Sequence, residues 1–324
     1  MSKFMISLLD DKFVNLELRN EGIFSLVYTG RSLEDNKIYA IKMSKATVRD
    51  SLDIMINEFN TLQSIEHENA MKALQFNFNN QENKGYYSLP LGVSLRQLFL
   101  ERKRNGEIYS TEELVSLIRD VTSVLIDAYK KGNQFCHYDL RPENIIYHDG
   151  RNKVMDWCGT KKAKLFKSTF KDEPKVLYPI STKKSLVAYE IYAAPEVIEA
   201  VEYADEKLLA GTKSDVFSLG LILLEALGID SGEFSKLNLM KRERDYMLIK
   251  EALMKKMKKV LSDFKLQRLI EDMIHRNPAL RPSAEKILNE IGEHDKERRS
   301  SPLALSKIKH AGTTALCFTL TRWN

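Results

Sequence analysis

The period of the apolar residues changes partway along this 324-residue chain, and that change limits the fold more than any other feature. Residues 13–43 alternate apolar and polar in short runs broken at Gly22, Gly30 and Asp35-Asn36. That pattern predicts three antiparallel strands with tight turns. Residues 46–65 switch to helical spacing, with Ile54, Phe59, Leu62 and Ile65 sharing a face. Two more strands are predicted near 70–78 and 85–91, joined by the polar turn Asn79 to Gly85. Helices then dominate. Ser110-Thr111-Glu112-Glu113 fits a capping box, with Ser110 accepting from the backbone and Glu113 reaching back. It opens a helix to about Lys131, closed by Gly132. Residues 214–228, 241–260, 263–275 and 283–292 also read as helical. The expected class is therefore α+β: a small antiparallel sheet lobe with one helix, on a larger, mainly helical lobe. A cleft between the lobes is where a ligand would sit.

The totals exclude several classes. A net charge of +5 spread over this length does not imply nucleic acid, and no patch interleaves Arg with aromatics as a base-stacking surface would. The three cysteines, Cys136, Cys158 and Cys317, form no C-x-x-C pair, so a disulfide framework or zinc site is not expected. A reducing, intracellular and cytoplasmic setting is the expectation. The start, Met1-Ser2-Lys3-Phe4, reaches Asp10-Asp11 without a long apolar core and does not read as a secretory signal. The longest apolar run, Val216 to Ile229, contains Glu225 and falls short of a membrane span. It reads as a helix buried on all sides.

At the changeover from strands to helices lies His137-Tyr138-Asp139-Leu140-Arg141-Pro142-Glu143-Asn144, followed by Asp156-Trp157-Cys158-Gly159. An acid, a cation, an amide and a second acid fall in one short stretch. Phosphoryl transfer needs that set: one carboxylate for the hydroxyl proton, a cation for the phosphate, and two oxygens for Mg²⁺.

The stretch resembles the catalytic loop and metal-binding motif of eukaryotic protein kinases. Tyr39-Ala40-Ile41-Lys42 resembles the family's V-A-I-K strand, and Ala40 and Lys42 would share a strand face. Glu58, Leu62, Ile65, His67 and Asn69 reproduce the spacing of the helix that follows it. Tyr192-Ala193-Ala194-Pro195-Glu196 matches Y-x-A-P-E, Ser214 to Gly220 matches S-D-V-W-S-L-G with Phe217 for Trp, and Arg281-Pro282 sits where the partner of Glu196 belongs. The resemblance runs from about residue 13 to 292. It implies a kinase-like domain over residues 1–292, with lobes of about 1–91 and 92–292 and a polar tail over 293–324. It implies ATP and Mg²⁺, or Mn²⁺ in its place, and a protein substrate. It assigns Asp139 as base, Lys42, Glu58 and Arg141 as catalytic partners, and Asn144 and Asp156 as metal ligands. Gly22, Val27, Ala40, Lys42 and Ile146 would hold ATP. Leu62, His137, Trp157, Glu196, Asp215 and Arg281 would support the site, Asp215 by accepting backbone N–H bonds from the catalytic loop.

The departures are specific. Asn20 and Ser25 replace two glycines of the phosphate-covering hairpin, leaving Gly22, which would weaken phosphate contact. Tyr138 stands where an arginine normally meets an activation-loop phosphate, so ordinary switching is not expected. Trp157-Cys158 replaces Phe-Gly, and Cys158 is either a small filler or a redox-sensitive thiol. Ser168, Thr169, Ser181, Thr182 and Ser185 are candidate phosphosites in a lysine-rich stretch that is either a solvated face or a dock for acidic substrate. Tyr189 takes the place of a threonine found in Ser/Thr kinases, whereas Arg141-Pro142-Glu143-Asn144 is nearer the Ser/Thr loop than the tyrosine-kinase loop. Three readings follow: a Ser/Thr-directed protein kinase, a pseudokinase scaffold, or a small-molecule kinase of the aminoglycoside or choline type.

Overall fold

The structure is a computed structural model that describes residues 5–9, 12–22, 24–48, 51–79, 84–130, 136–157, 191–203, 211–237, 239–240 and 242–300. Cys158, Tyr189, the phosphosites between them, Cys317 and the tail from residue 301 lie outside the described residues.

The N-terminal part is a six-stranded antiparallel sheet in the order β1-β2-β3-β4-β6-β5. Its strands are β1 (Met5–Leu9), β2 (Phe13–Glu21), β3 (Ser25–Ser32), β4 (Ile38–Ser44), β5 (Phe76–Asn79) and β6 (Lys84–Pro90). The helix α1 (Ser51–Ser64) packs on β4 and β6 with Met55, Glu58 and Leu62 inward. Turns at Gly22 and at Asp35-Asn36 fall as the sequence predicts. Gly30 does not turn; it lies inside β3, opposite Tyr39. A Cβ there would come within 2.8 Å of the Ile41 side chain, so the glycine lets the small core of Phe13, Leu16 and Ile41 close. The strand predicted over 70–78 is shorter, because residues 70–75 are used otherwise. Ala70 bridges Val154 in parallel, and the Met71 amide donates to the Val154 carbonyl at 2.9 Å.

The C-terminal part is helical: α2 (Leu95–Asn105), α3 (Thr111–Lys130), α4 (Pro195–Tyr203), α5 (Thr212–Ala226), α6 (Ser231–Phe234), α7 (Glu243–Val260), α8 (Phe264–Met273) and α9 (Ala284–Ser300). A small sheet of β7 (Val93–Ser94), β8 (Ile145–His148) and β9 (Arg151–Val154) faces the cleft and was not foreseen; its strands are too short to carry a periodic signal. The predicted capping box is present: the Glu113 amide donates to the Ser110 hydroxyl at 3.3 Å, and the Ser110 amide to the Glu113 carboxylate at 2.8 Å. A second box, Ser94 with Gln97, opens α2. The apolar run 216–229 is buried except at Glu225 and Gly228, and a Cβ on Gly220 would meet Ile274 at 2.6 Å and Met273 at 3.1 Å, so α5 and the end of α8 touch almost backbone to side chain. The helix α9 continues to Ser300 rather than stopping near 292, since no proline intervenes before Pro302.

Arg281 locks the C-terminal part together. Its side chain is 0% exposed and forks onto both Glu196 oxygens at 2.6 and 2.9 Å. It also donates to the carbonyls of His275, Lys213 and Arg276, and stacks over Phe217 with 4.8 Å from guanidinium to ring centre. Three segments far apart in sequence thus depend on one cation. Replacing it strands a nearly buried carboxylate and three carbonyls. Arg281→Met is expected to cost about 3–5 kcal/mol, read by urea unfolding. In a double-mutant cycle with Glu196→Gln the losses should fall well short of additive. Full additivity would mean that the two side chains act independently.

Candidate active site

The cleft between the sheet and the helices encloses about 580 Å³. Its sheet side is built by β3 and β4. Because side chains alternate along a strand, Ala40 and Lys42 project from β4 onto the same face, with Val27 of β3 beside them. Ile146 of β8 closes the opposite side, and Leu89 to Gly92 form the connection at the back.

Lys42 is 8% exposed and sits between two carboxylates. Its Nζ is 2.7 and 2.8 Å from the two oxygens of Glu58 and 3.1 Å from Oδ1 of Asp156. Glu58 reaches it because positions 55, 58 and 62 line the inward face of α1. Burial pushes the Glu58 carboxyl up to about 7, opposed by Lys42 and assisted by Asp156. Tyr87, fully buried and directly opposite Lys42 in the β4–β6 register, sits in the same electrostatic group. Burial raises its phenol well above the ordinary value, so it stays protonated beside these acids. Sequence reasoning missed Tyr87, since only strand pairing puts it next to Lys42.

The segment from His137 to Asn144 hangs from Asp215, at the start of α5. The amides of His137 and Tyr138 donate to its two oxygens at 2.8 and 2.7 Å. Burial raises the Asp215 carboxyl to about 7, and those two amides pull it back. Held this way, Tyr138 takes a φ of 61°, a strained value for a bulky side chain. Tyr138 is itself buried, 7% exposed, so the residue in the arginine position packs into the core.

His137 Nε2 lies 2.8 Å from the Met155 carbonyl, and its Nδ1 accepts from the Asp139 amide at 3.3 Å. This bonding assigns the Nε2–H tautomer. Burial lowers its pKa to about 4, so the ring is neutral, and it tilts against the fully buried Trp157 with 4.7 Å between centres. Leu62 belongs to the same apolar cluster.

Asp139 is 3.3 Å from Arg141 Nε, and the Asn144 amide nitrogen donates to its carbonyl at 2.8 Å and to Oδ2 at 3.0 Å. Burial pushes its carboxyl up to about 7, with Arg141 opposing and Asp156 adding. Arg141, Asn144 and Asp156 line the cleft, and Asp156 adopts a φ of 63°. Gly22 also lines it, but its amide donates to the Ser25 carbonyl at 2.8 Å and closes the β2–β3 hairpin.

One further cluster escaped the sequence reading. Arg96 of α2 donates to Glu143 at 2.8 Å, to Glu225 at 2.5 Å and to the Tyr192 hydroxyl at 2.6 Å. It ties the catalytic-loop segment to the segment before α4 and to the central helix. The Ser94–Gln97 capping box was the available signal, because it fixes where α2 starts and so which side Arg96 takes.

The structure thus gathers Lys42, Glu58, Asn144, Arg141 and Asp156 at one cleft, with Asp139 bonded to Asn144. Glu196 and Arg281 lie apart, in the helical core, as the sequence pairing predicts.

Comparison with known proteins agrees with this arrangement. The protein kinase domain family profile matches residues 17–291. A probable serine/threonine-protein kinase of Dictyostelium discoideum is 25% identical over 296 residues, covering 87% of this chain and 34% of that protein. MAP kinase-interacting serine/threonine-protein kinase 1 of Xenopus laevis is 27% identical over 213 residues, 64% of this chain and 47% of its own length. MAP kinase kinase kinase wis4 of Schizosaccharomyces pombe is 25% identical over 233 residues, 68% and 16%. This chain therefore spans about a third of the first of these relatives and under half of the others. The matched stretch takes in the strand of Lys42, the segment from His137 to Trp157 and the Glu196–Arg281 pair, and the chain belongs to the protein kinase domain family.

Proposed function

We propose that this chain is an ATP-dependent protein kinase that transfers a phosphoryl group to Ser or Thr hydroxyls, with Asp139 as the general base. The observation that carries the reading is the Lys42–Glu58–Asp156 ion cluster facing Arg141 and Asn144 across one cleft. Lys42 is held so that its charge meets the nucleotide phosphates, and Glu58 restricts where the amine goes. Ala40, Val27 and Ile146 offer small or apolar surfaces suited to a flat base. Arg141 brings a second cation beside Asp139, where charge develops on the transferred group.

The donor set fits a hard divalent cation: the carboxylate of Asp156 and the amide oxygen of Asn144 supply oxygen, and Mg²⁺ is commonly held by one or two side chains with substrate phosphates completing the shell. Such an ion would neutralise phosphate charge. Asp139, drawn up to about 7 by burial, accepts the hydroxyl proton. A base with that affinity is well matched to neutral pH. Gly22 gives its amide to Ser25, which supports weaker phosphate contact from the hairpin than a full glycine loop gives. The Ser/Thr direction rests on Arg141-Pro142-Glu143-Asn144 and on the serine/threonine kinases among the relatives.

Incubation with labelled ATP, Mg²⁺ and generic protein substrates should show transfer to serine and threonine. Asp139→Asn should lower it by about 10²–10⁴, and Lys42→Met by about 10²–10³, both with the circular-dichroism spectrum retained. Nucleotide-dependent thermal stabilisation with no transfer would replace this reading by that of a binding scaffold.

The pH dependence has a definite sign. Asp139 and Glu58 both titrate near 7 and both must be ionised to act, the second to hold Lys42. At saturating nucleotide, kcat/KM for the protein acceptor should therefore fall as pH drops below about 7. The limb should be steeper than that of one titrating group. A profile flat down to about pH 5 would contradict the assignment of Asp139 as base.

A further inference from the structure

We propose that the end of α7 and the start of α8 form a docking surface for anionic phospholipid, on which the chain lies rather than inserts. Lys255, Lys256, Lys258 and Lys259 crowd the last turn and a half of α7, and all are exposed. The next helix begins with Phe264, which at 71% exposure is the most exposed large hydrophobic among the described residues. Val260, 46% exposed, lies between them in sequence, and Arg268 stands exposed one turn after Phe264. Exposed cations at the end of one helix, followed within a few residues by an exposed aromatic ring, suit a lipid interface: the lysines meet headgroup charge while the ring enters the acyl boundary.

Helix stability alone does not account for the patch. Lysines in a last turn gain from the helix dipole, and that covers Lys258 and Lys259. The pairs 255/258, 255/259 and 256/259, however, are like charges at three- and four-residue spacing, which oppose each other on a helix. Lys256 has a partner in Glu233. Among the described residues no acid forms an ion pair with Lys255, Lys258 or Lys259. Nearby acids are otherwise engaged or set back. Asp263 caps α8 and pairs with His294 at 2.6 Å, and Glu251 lies one turn earlier on α7.

The occupant is argued from charge and from the exposed ring. The chain beyond α9, residues 301–324, contains Lys307, Lys309 and Arg322 and no Asp or Glu, so it is a poor complement for the patch. A nucleic acid would satisfy the lysines but leave Phe264 and Val260 without a role, since one phenylalanine makes no stacking platform. None of these residues lines the nucleotide cleft, so the proposed surface is distinct from it. No described helix is long and apolar enough to cross a membrane, and the patch is a surface contact by construction.

The test uses the full chain in co-sedimentation with vesicles of phosphatidylcholine alone or with about 30% phosphatidylserine. Binding is expected to the anionic vesicles only, and to fade as salt rises. The Lys255→Gln/Lys258→Gln/Lys259→Gln variant should bind about 100-fold more weakly, at roughly fivefold per cation near an anionic surface. Phe264→Ser, which changes no charge, should weaken binding by about tenfold. Both variants keep the buried faces of α7 and α8, and an unchanged thermal transition certifies the fold; should the triple variant unfold, Phe264→Ser decides alone. Equal binding to neutral and anionic vesicles would overturn the proposal. So would binding indifferent to Phe264→Ser, or binding displaced by a short oligonucleotide at far lower concentration than by anionic lipid, which would make the partner a nucleic acid.

Discussion

Two backbone hydrogen bonds to one buried carboxylate set the geometry on which the site depends. Asp215 is 1% exposed, at the start of a helix that is itself buried on all sides. Its oxygens take the amides of His137 and Tyr138. The helix cannot move without disturbing the core, so the loop cannot either. Holding the loop there costs backbone strain at Tyr138 and desolvation of Asp215, and the packed core around α5 offsets both. The return is that Asp139 leaves the loop in a defined direction, within reach of Arg141 and Asn144.

The same economy explains the electrostatics. Glu58, Asp139 and Asp215 are all drawn to about 7 by burial, each countered by a specific donor: Lys42, Arg141 or the two loop amides. Folded acids with raised pKa values bind protons more tightly than the unfolded chain, so each of the three makes folding less favourable as pH rises from about 4 to about 7. The site is thus a place where stability is exchanged for charge kept close together and dry. Arg281 shows the opposite solution. There every donor of one guanidinium finds an acceptor, and the charge is structural.

Much of this was legible in the sequence because it is local or stereotyped. The helical face at 54–65, the Ser110 cap and the apolar run at 216–229 follow from short-range spacing. So does the sharing of one strand face by Ala40 and Lys42. The pairing of Glu58 with Lys42 and of Glu196 with Arg281 was reached only through the resemblance, since nothing in spacing brings residues 85 positions apart together. What stayed hidden was set by tertiary register. Tyr87 meets Lys42 only through strand pairing, and Arg96 meets Glu143, Glu225 and Tyr192 only after three segments converge. Gly30 misled for a related reason: a glycine in a strand marks a close approach as readily as a turn. Residues 70–75 divide their bonds: the Leu74 amide donates to Ser88 of β6, while Ala70 and Met71 pair with Val154 of β9, in the other part of the molecule.

That last pairing bears on how the two parts act as one. Lys42 reaches across the cleft to Asp156, a link between two opposite charges. A second link is built mainly from residues that do not line the cleft. The Asn69 side chain donates to the Asn152 carbonyl at 3.1 Å, and the backbone and side-chain amides of Asn152 both donate to Asp120 at 2.9 Å. With the Met71–Val154 bond, this chain of amides, ending on the Asp120 carboxylate, anchors the segment after α1 to α3. The first link joins full charges of opposite sign, whereas the second is made mostly of amide hydrogen bonds. The sheet is therefore tied to the helical part at two places, one by full charges at the cleft and one by amide hydrogen bonds behind it, and Glu58 is carried on α1 just before the second tie. Lys42 is held by a side chain on α1, and the Asn69 and Asn152 amides that follow α1 into the helical part do not line the cleft.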